Sequence, residues 1–185
     1  MARLFMKTAG ERETSLREAV RDGVEWDVFV SHKSDDTRQA LDLARVIQRE
    51  GLSSWVDVLD PNVAGDGREL DDYIERVLSR TFSLLALVTD VTHESWWVPF
   101  EIGLAFELRR YLSSFADRNM HLPSFLQKHP RLATHQDLRH WCARLNQLKK
   151  SDRPERVLLL EGRSVMAEDR EAYLRAMRQL TADFR

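Results

Sequence analysis

From residue 26 onward, apolar and polar positions follow two alternating regimes. Trp26-Asp-Val-Phe-Val-Ser31 is a β-branched and aromatic run of strand length. It stops at Ser31-His-Lys-Ser-Asp-Asp36, whose acids suit the start of a helix. Ala40, Leu43, Ala44 and Ile47 then recur at helical spacing until Gly51 supplies a stop. The rhythm repeats with a strand over 53–58, a loop of turn-forming residues over 59–67, and a helix over 68–80 with Leu70, Ile74, Val77 and Leu78 on one face. Phe82-Ser-Leu-Leu-Ala-Leu-Val88 is nearly all apolar, as a parallel strand buried on both faces requires. A loop over 89–94 leads to a helix over 95–111. Three strand–helix units in a row predict an α/β domain, a parallel sheet with helices on both sides.

The second half is less periodic. Residues 113–133 have no clear period, and 122–126 is the candidate for a short edge strand. Thr134-His-Gln-Asp137 resembles a capping box opening a helix that runs to about Lys149. The stretch 149–154 has linker character but is too short to separate domains, and 156–161, with Val-Leu-Leu-Leu, is a further strand candidate. A closing helix over 167–182 carries Ala167, Tyr173, Leu174, Met177 and Leu180 along its apolar side. Ahead of the first strand, 10–22 is polar with a sparse stripe of Leu16, Ala19 and Val20, read as a short surface helix. The expected organisation is an N-terminal helical extension over 1–23 and one α/β domain over 24–185, whose sheet has five strands, or four.

Composition narrows the function classes. With 185 residues, 28 basic against 30 acidic side chains and a net charge of −2, nothing draws the chain electrostatically to nucleic acid or an anionic membrane. A single cysteine, Cys142, excludes an intramolecular disulfide and fits a reducing compartment. No apolar run approaches the length of a membrane span or a signal peptide, so a cytoplasmic protein is expected. The seven glycines form neither GxGxxG nor GxxxxGK[ST], so neither familiar phosphate cradle is present. His121, His129, His135 and His140 lack zinc-ligand spacing and are read as surface residues, with no metal expected. Cys142, beside Trp141, is read as a small buried hydrophobe.

Ligands of open parallel sheets bind at the carboxyl ends of the strands. Those ends correspond to 31–36, 57–67 and 89–97, three loops rich in polar and aromatic residues. Glu101 is out of place beside them. Its neighbours at i−4, i+3, i+4 and i+7 are Trp97, Leu104, Ala105 and Leu108. A carboxylate in such a stripe needs a buried partner or a cleft. Otherwise it sits near a helix N-terminus and points at solvent. Position alone leaves both readings open.

Three segments in order, Asp27-Val-Phe-Val-Ser-His32, Gly51-Leu-Ser-Ser-Trp-Val-Asp57 and Ser95-Trp-Trp-Val-Pro-Phe-Glu-Ile-Gly-Leu-Ala105, resemble the Toll/interleukin-1 receptor (TIR) domain, especially its bacterial branch. The resemblance implies a flavodoxin-like three-layer sandwich on a five-stranded parallel sheet. It also implies an activity, because many TIR domains cleave NAD+ between nicotinamide and ribose. Their catalytic glutamate follows a tryptophan by four residues, a spacing met here by Trp97 and Glu101. NAD+ is then a substrate, and no cofactor is implied. By position, Ser31 is expected to hydrogen-bond a ribose or amide, or to cap a turn. His32 and Lys33 are expected to lie against the nucleotide, with Lys33 meeting the pyrophosphate, Asp57 to contact ligand or fix the following loop, and Trp97 to wall the nicotinamide or ribose. Trp96 is assigned to packing, and Glu94 to the loop surface. Residues 58–67 correspond to the BB loop, which in TIR enzymes gates the site and mediates assembly.

The resemblance further implies TIR–TIR self-association on activation and a role in anti-phage immunity. The chain length suits a partner-dependent system such as Thoeris, with a separate sensor or effector. The competing expectations are a non-catalytic TIR adaptor and a host-directed effector. Nucleoside deoxyribosyltransferases share the layout and use a glutamate nucleophile, but the Trp97-to-Glu101 context and the Trp55-Val-Asp57 strand point away from them.

Overall fold

The computed structural model describes residues 25–56, 67–157 and 167–184. The strands are β1 (Trp26–Ser31), β2 (Ser54–Val56), β3 (Thr81–Leu87), β4 (Tyr111–Phe115) and β5 (Arg131–Leu132). The α-helices are α1 (Thr37–Arg49), α2 (Gly67–Ser79), α3 (Trp97–Glu107), α4 (His135–Val157) and α5 (Ala167–Ala182). All strand pairs are parallel, in the order β2-β1-β3-β4-β5. That is the flavodoxin-like order, whose switch point opens a crevice between the carboxyl ends of β1 and β3.

Alternation along the strands divides the core into two layers. Val28 and Val30 of β1, with Leu85 and Leu87 of β3, pack beneath α1, α4 and α5 against Leu43, Ile47, Trp141, Leu145, Met177 and Leu180. Phe29 of β1, with Leu84 and Ala86 of β3, faces α2 and α3 through Ile74, Val77, Leu78, Val98, Ile102 and Ala105. The three-layer sandwich expected from the strand–helix rhythm is therefore present. Helix α1 ends as its glycine predicts: Gly51 takes φ 84°, and Leu52 N–H reaches back to the Ile47 carbonyl at 3.3 Å. The capping box also forms, with Asp137 N–H on the Thr134 hydroxyl at 3.1 Å and Thr134 N–H on the Asp137 carboxylate at 2.9 Å.

The second half departs from expectation in several places. Helix α3 ends at Glu107, with Arg109 at φ 53° and Arg110 N–H on the Ala105 carbonyl at 2.8 Å, so Tyr111 opens a strand. The sequence hid β4 because Ser113 and Ser114 interrupt its apolar run, although all five of its residues are buried. Residues 122–126 form a turn instead of an edge strand: Leu126 and Gln127 N–H share the Pro123 carbonyl at 2.9 and 3.2 Å, and Leu122 and Leu126 plug the layer beneath α3. The edge strand at this end of the sheet is β5, beside β4. Helix α4 continues through the linker-like 149–154 to Val157, so 156–157 are helical, and 158–161 lie outside the described residues. The closing helix has the expected bounds, but Leu174 is exposed while Tyr173, Met177 and Leu180 are buried. The proposed extension over 1–23 lies outside the described residues.

Candidate active site

The carboxyl end of β1 delivers Ser31, and its position in the sheet fixes where the hydroxyl points. Ser31 pairs with Ala86 of β3 and shares the alternation of Phe29, which faces the α2–α3 layer. Helix α3 crosses that layer. Its start is capped by Ser95, whose hydroxyl accepts from Val98 N–H at 3.3 Å. From there the helical repeat carries Glu101 inward among buried Val98, Ile102 and Ala105. Only 3% of Glu101 is exposed. The Ser31 hydroxyl donates to Glu101 Oε2. The carboxylate has thus found a buried polar partner, and the solvent-facing alternative is excluded.

Trp97, one turn earlier, is half-buried against the same layer and meets Phe100 edge-to-face at a centroid distance of 5.8 Å. Trp96, expected to pack, is 91% exposed. It sits just before the helix, at an angle that the core face of α3 does not reach. Phe100 and Phe106 are exposed on the same helix.

The loop after β1 is organised by His32 and Thr37. Thr37 donates its hydroxyl proton to the Ser34 carbonyl at 2.6 Å, and the His32 ring bridges the loop, with Nε2 3.1 Å from Thr37 Oγ1 and Nδ1 3.4 Å from the Val30 carbonyl. Burial pushes the His32 imidazole below its ordinary value, which keeps it neutral at neutral pH. Two links then tie this loop to the one after β3. Lys33 Nζ lies 2.7 Å from Asp35 and 2.6 Å from Glu94, and the Thr89 hydroxyl donates to Asp36 at 2.6 Å. Hydrogen bonds to Asp35 and Glu94 hold the Lys33 ammonium charged to higher pH than usual, and Lys33 lowers both carboxylates in return. Glu94, expected only on the loop surface, is therefore a partner of Lys33. Asp36, Thr89 and Glu94 went unrecognised as a group because their partners lie more than fifty residues away and no local pattern marks them.

Ser31, His32, Lys33, Trp97 and Glu101 all belong to the carboxyl rim of β1 or to α3, where it covers that rim. Asp57 and the 58–66 stretch of the expected BB loop lie outside the described residues. His121, His135 and His140 are exposed, whereas His129 is half-buried and pushed down by burial. Among the described residues no group of three or more His, Cys, Asp and Glu side chains comes together. Cys142 is fully buried, and burial pushes its thiol up to about 12. No helix among the described residues is long and apolar enough to cross a membrane.

A doubly wound parallel sheet whose switch-point rim carries a buried glutamate defines a class of small α/β domains with a polar site above β1. Within that class, a family model described as TIR domain matches residues 28–153, more than half of the chain, and the chain belongs to the TIR-domain family. The TIR domain of the Toll-related receptor TRR-2 from Hydra magnipapillata is similar in structure, with a TM-score of 0.51 at 15% identity, covering 68% of this chain and 97% of that one. The TIR domains of the activated Roq1 resistosome directly recognizing the pathogen effector XopQ give a TM-score of 0.43 at 14% identity, covering 85% of this chain and 84% of that one. At these identities the likeness is one of fold, and the Hydra domain carries it. No curated protein matches the chain.

Proposed function

We propose that this TIR domain is an NAD+ glycohydrolase or ADP-ribosyl cyclase that breaks the bond between nicotinamide and ribose. One observation carries the reading: a glutamate four residues after Trp97 is buried at the sheet's switch point and held by the hydroxyl at the end of β1. Nicotinamide leaves with the bonding electron pair as a neutral molecule, so its departure needs no general acid. The positive charge it carried passes to the ribose, which becomes oxocarbenium-like. A carboxylate fixed in a water-poor site stabilises that charge. Water then bonds to the anomeric carbon and loses a proton, giving ADP-ribose. A nucleophilic atom elsewhere in the same molecule gives a cyclic isomer by the same step.

In this reading Trp97 walls the nicotinamide or ribose, and Lys33 meets the pyrophosphate by trading one of its two carboxylate partners. His32 holds the loop that carries Lys33, and Asp57 contacts ligand or fixes the loop after β2. NAD+ is the substrate, and no bound cofactor or metal takes part. A cytoplasmic setting fits both the substrate and a single buried thiol. Bacterial anti-phage defence, with TIR–TIR self-association and a separate sensor or effector, is the biological role that the family resemblance supports.

The alternative is a scaffold or host-directed effector acting through TIR–TIR contacts, and the exposed Trp96 just before α3, with Phe100 and Phe106 on it, favours it. Incubation of the purified chain with NAD+, with and without a crowding agent, separates the two by nicotinamide release. Turnover that Glu101→Ala abolishes is expected. No turnover under any assembling condition would leave the scaffold as the better account.

A further inference from the structure

Ser31 was expected to touch substrate, yet its hydroxyl is fully buried and already committed. It lies at 0% exposure, and it spans 70 residues of sequence to reach Glu101. The backbone that holds it is fixed in the sheet, since β1 lies between β2 and β3 and Ser31 itself pairs with Ala86 of β3. Serine has one rotatable side-chain bond before its hydroxyl. Its proton direction, once spent on a carboxylate, is therefore fixed by the sheet. Glu101 has three side-chain torsions and sits on a different element. Loss of the Ser31 donor removes the constraint that β1 places on which staggered arrangement this carboxylate takes.

We propose that Ser31 is a positioning residue for Glu101: its hydroxyl selects one rotamer and sets the plane of the carboxylate that faces the reacting ribose. This assignment deepens the NAD+-cleaving reading and rests on it. Ser31 then contributes to the chemical step through Glu101 and makes no direct contact with NAD+. The two roles separate kinetically, because loss of a substrate contact raises KM, whereas loss of alignment lowers kcat.

The test replaces Ser31 by alanine, with Ser83→Ala as the control. Ser83 is also a fully buried serine in the sheet, but its hydroxyl donates to the Asp27 carbonyl at 2.7 Å, away from Glu101. Ser31→Ala is expected to lower kcat for nicotinamide release by about 10- to 100-fold, the scale of a lost hydrogen bond to a charged group. KM for NAD+ should stay within about threefold of wild type in both variants, and Ser83→Ala should keep its kcat. Side-chain scalar couplings measured by NMR should report one Glu101 rotamer in wild type and an average over several in Ser31→Ala. A raised KM with unchanged kcat would make Ser31 a substrate contact and overturn the proposal. So would a single retained Glu101 rotamer. If Ser31→Ala does not fold, Ser31→Cys carries the same comparison, because a thiol is a weak donor. The couplings need no turnover, so an inactive wild type would refute the enzymatic reading while the couplings still decide the role of Ser31.

Discussion

Glu101→Gln removes one unit of charge and almost no volume, and so isolates what the carboxylate does. The amide oxygen still accepts from the Ser31 hydroxyl, and the apolar neighbours Val98, Ile102 and Ala105 meet a side chain of the same shape. Stability should therefore change little. The charge is what disappears. At 3% exposure the carboxylate is screened far less than in bulk water, and at an effective dielectric near 20 a unit charge about 4 Å from the developing cation is worth about 4 kcal/mol. That corresponds to about a thousandfold in rate. Glu101→Asp keeps the charge but withdraws it by one methylene, for which a loss of about a hundredfold is expected. Nicotinamide release under saturating NAD+, followed by chromatography, measures both variants, with thermal melting as the check on folding. A Glu101→Gln protein that melts as wild type and turns over within about tenfold of it would refute the electrostatic argument.

Other expectations follow from contacts farther from the glutamate. Thr134→Ala removes the cap of α4 and should cost about 1 kcal/mol by urea denaturation. Although partial burial raises the Asp137 carboxyl, donation from Ala133 N–H and from Thr134 holds it below the usual carboxylate range. Its stabilising contribution is then complete above that range and fades as pH falls through the lowered value. The stability gap between wild type and Asp137→Asn should accordingly close on acidification. Lys33→Ala should leave the melting temperature unchanged, since exposed ion pairs contribute little, while raising KM for NAD+ more at low salt than at high salt. Cys142, buried with its thiol pushed up to about 12, should resist alkylation at neutral pH until denaturant is added. Rapid labelling of the folded protein would contradict its burial on the core face of α4.

Local periodicity made the first half of the chain legible. Apolar runs bounded by turn residues marked β1 to β3, helical spacing marked α1 and α2, and Gly51 and Thr134 declared a helix end and a helix start. Glu101 stood out for a local reason too, as a charge inside an apolar stripe. Where a residue's role is set by something distant, the same reasoning failed. Two serines broke the hydrophobic run of β4, yet both are buried because β4 lies inside the sheet, between β3 and β5, in the middle layer of the sandwich. Leu122 and Leu126 looked like strand residues because they are apolar, but they plug the layer under α3 from an irregular turn. Trp96 and Trp97 are adjacent and chemically identical, and only the angle at which α3 meets the sheet exposes one and half-buries the other. The site itself divides in the same way. The sequence by itself nominated Glu101 and Ser31 separately, from an apolar stripe and a strand end. Their union across 70 residues is a consequence of parallel topology, which brings the end of β1 beneath the start of α3. A spacing along the chain carries no information about that approach, because the packing of two sheet faces determines it.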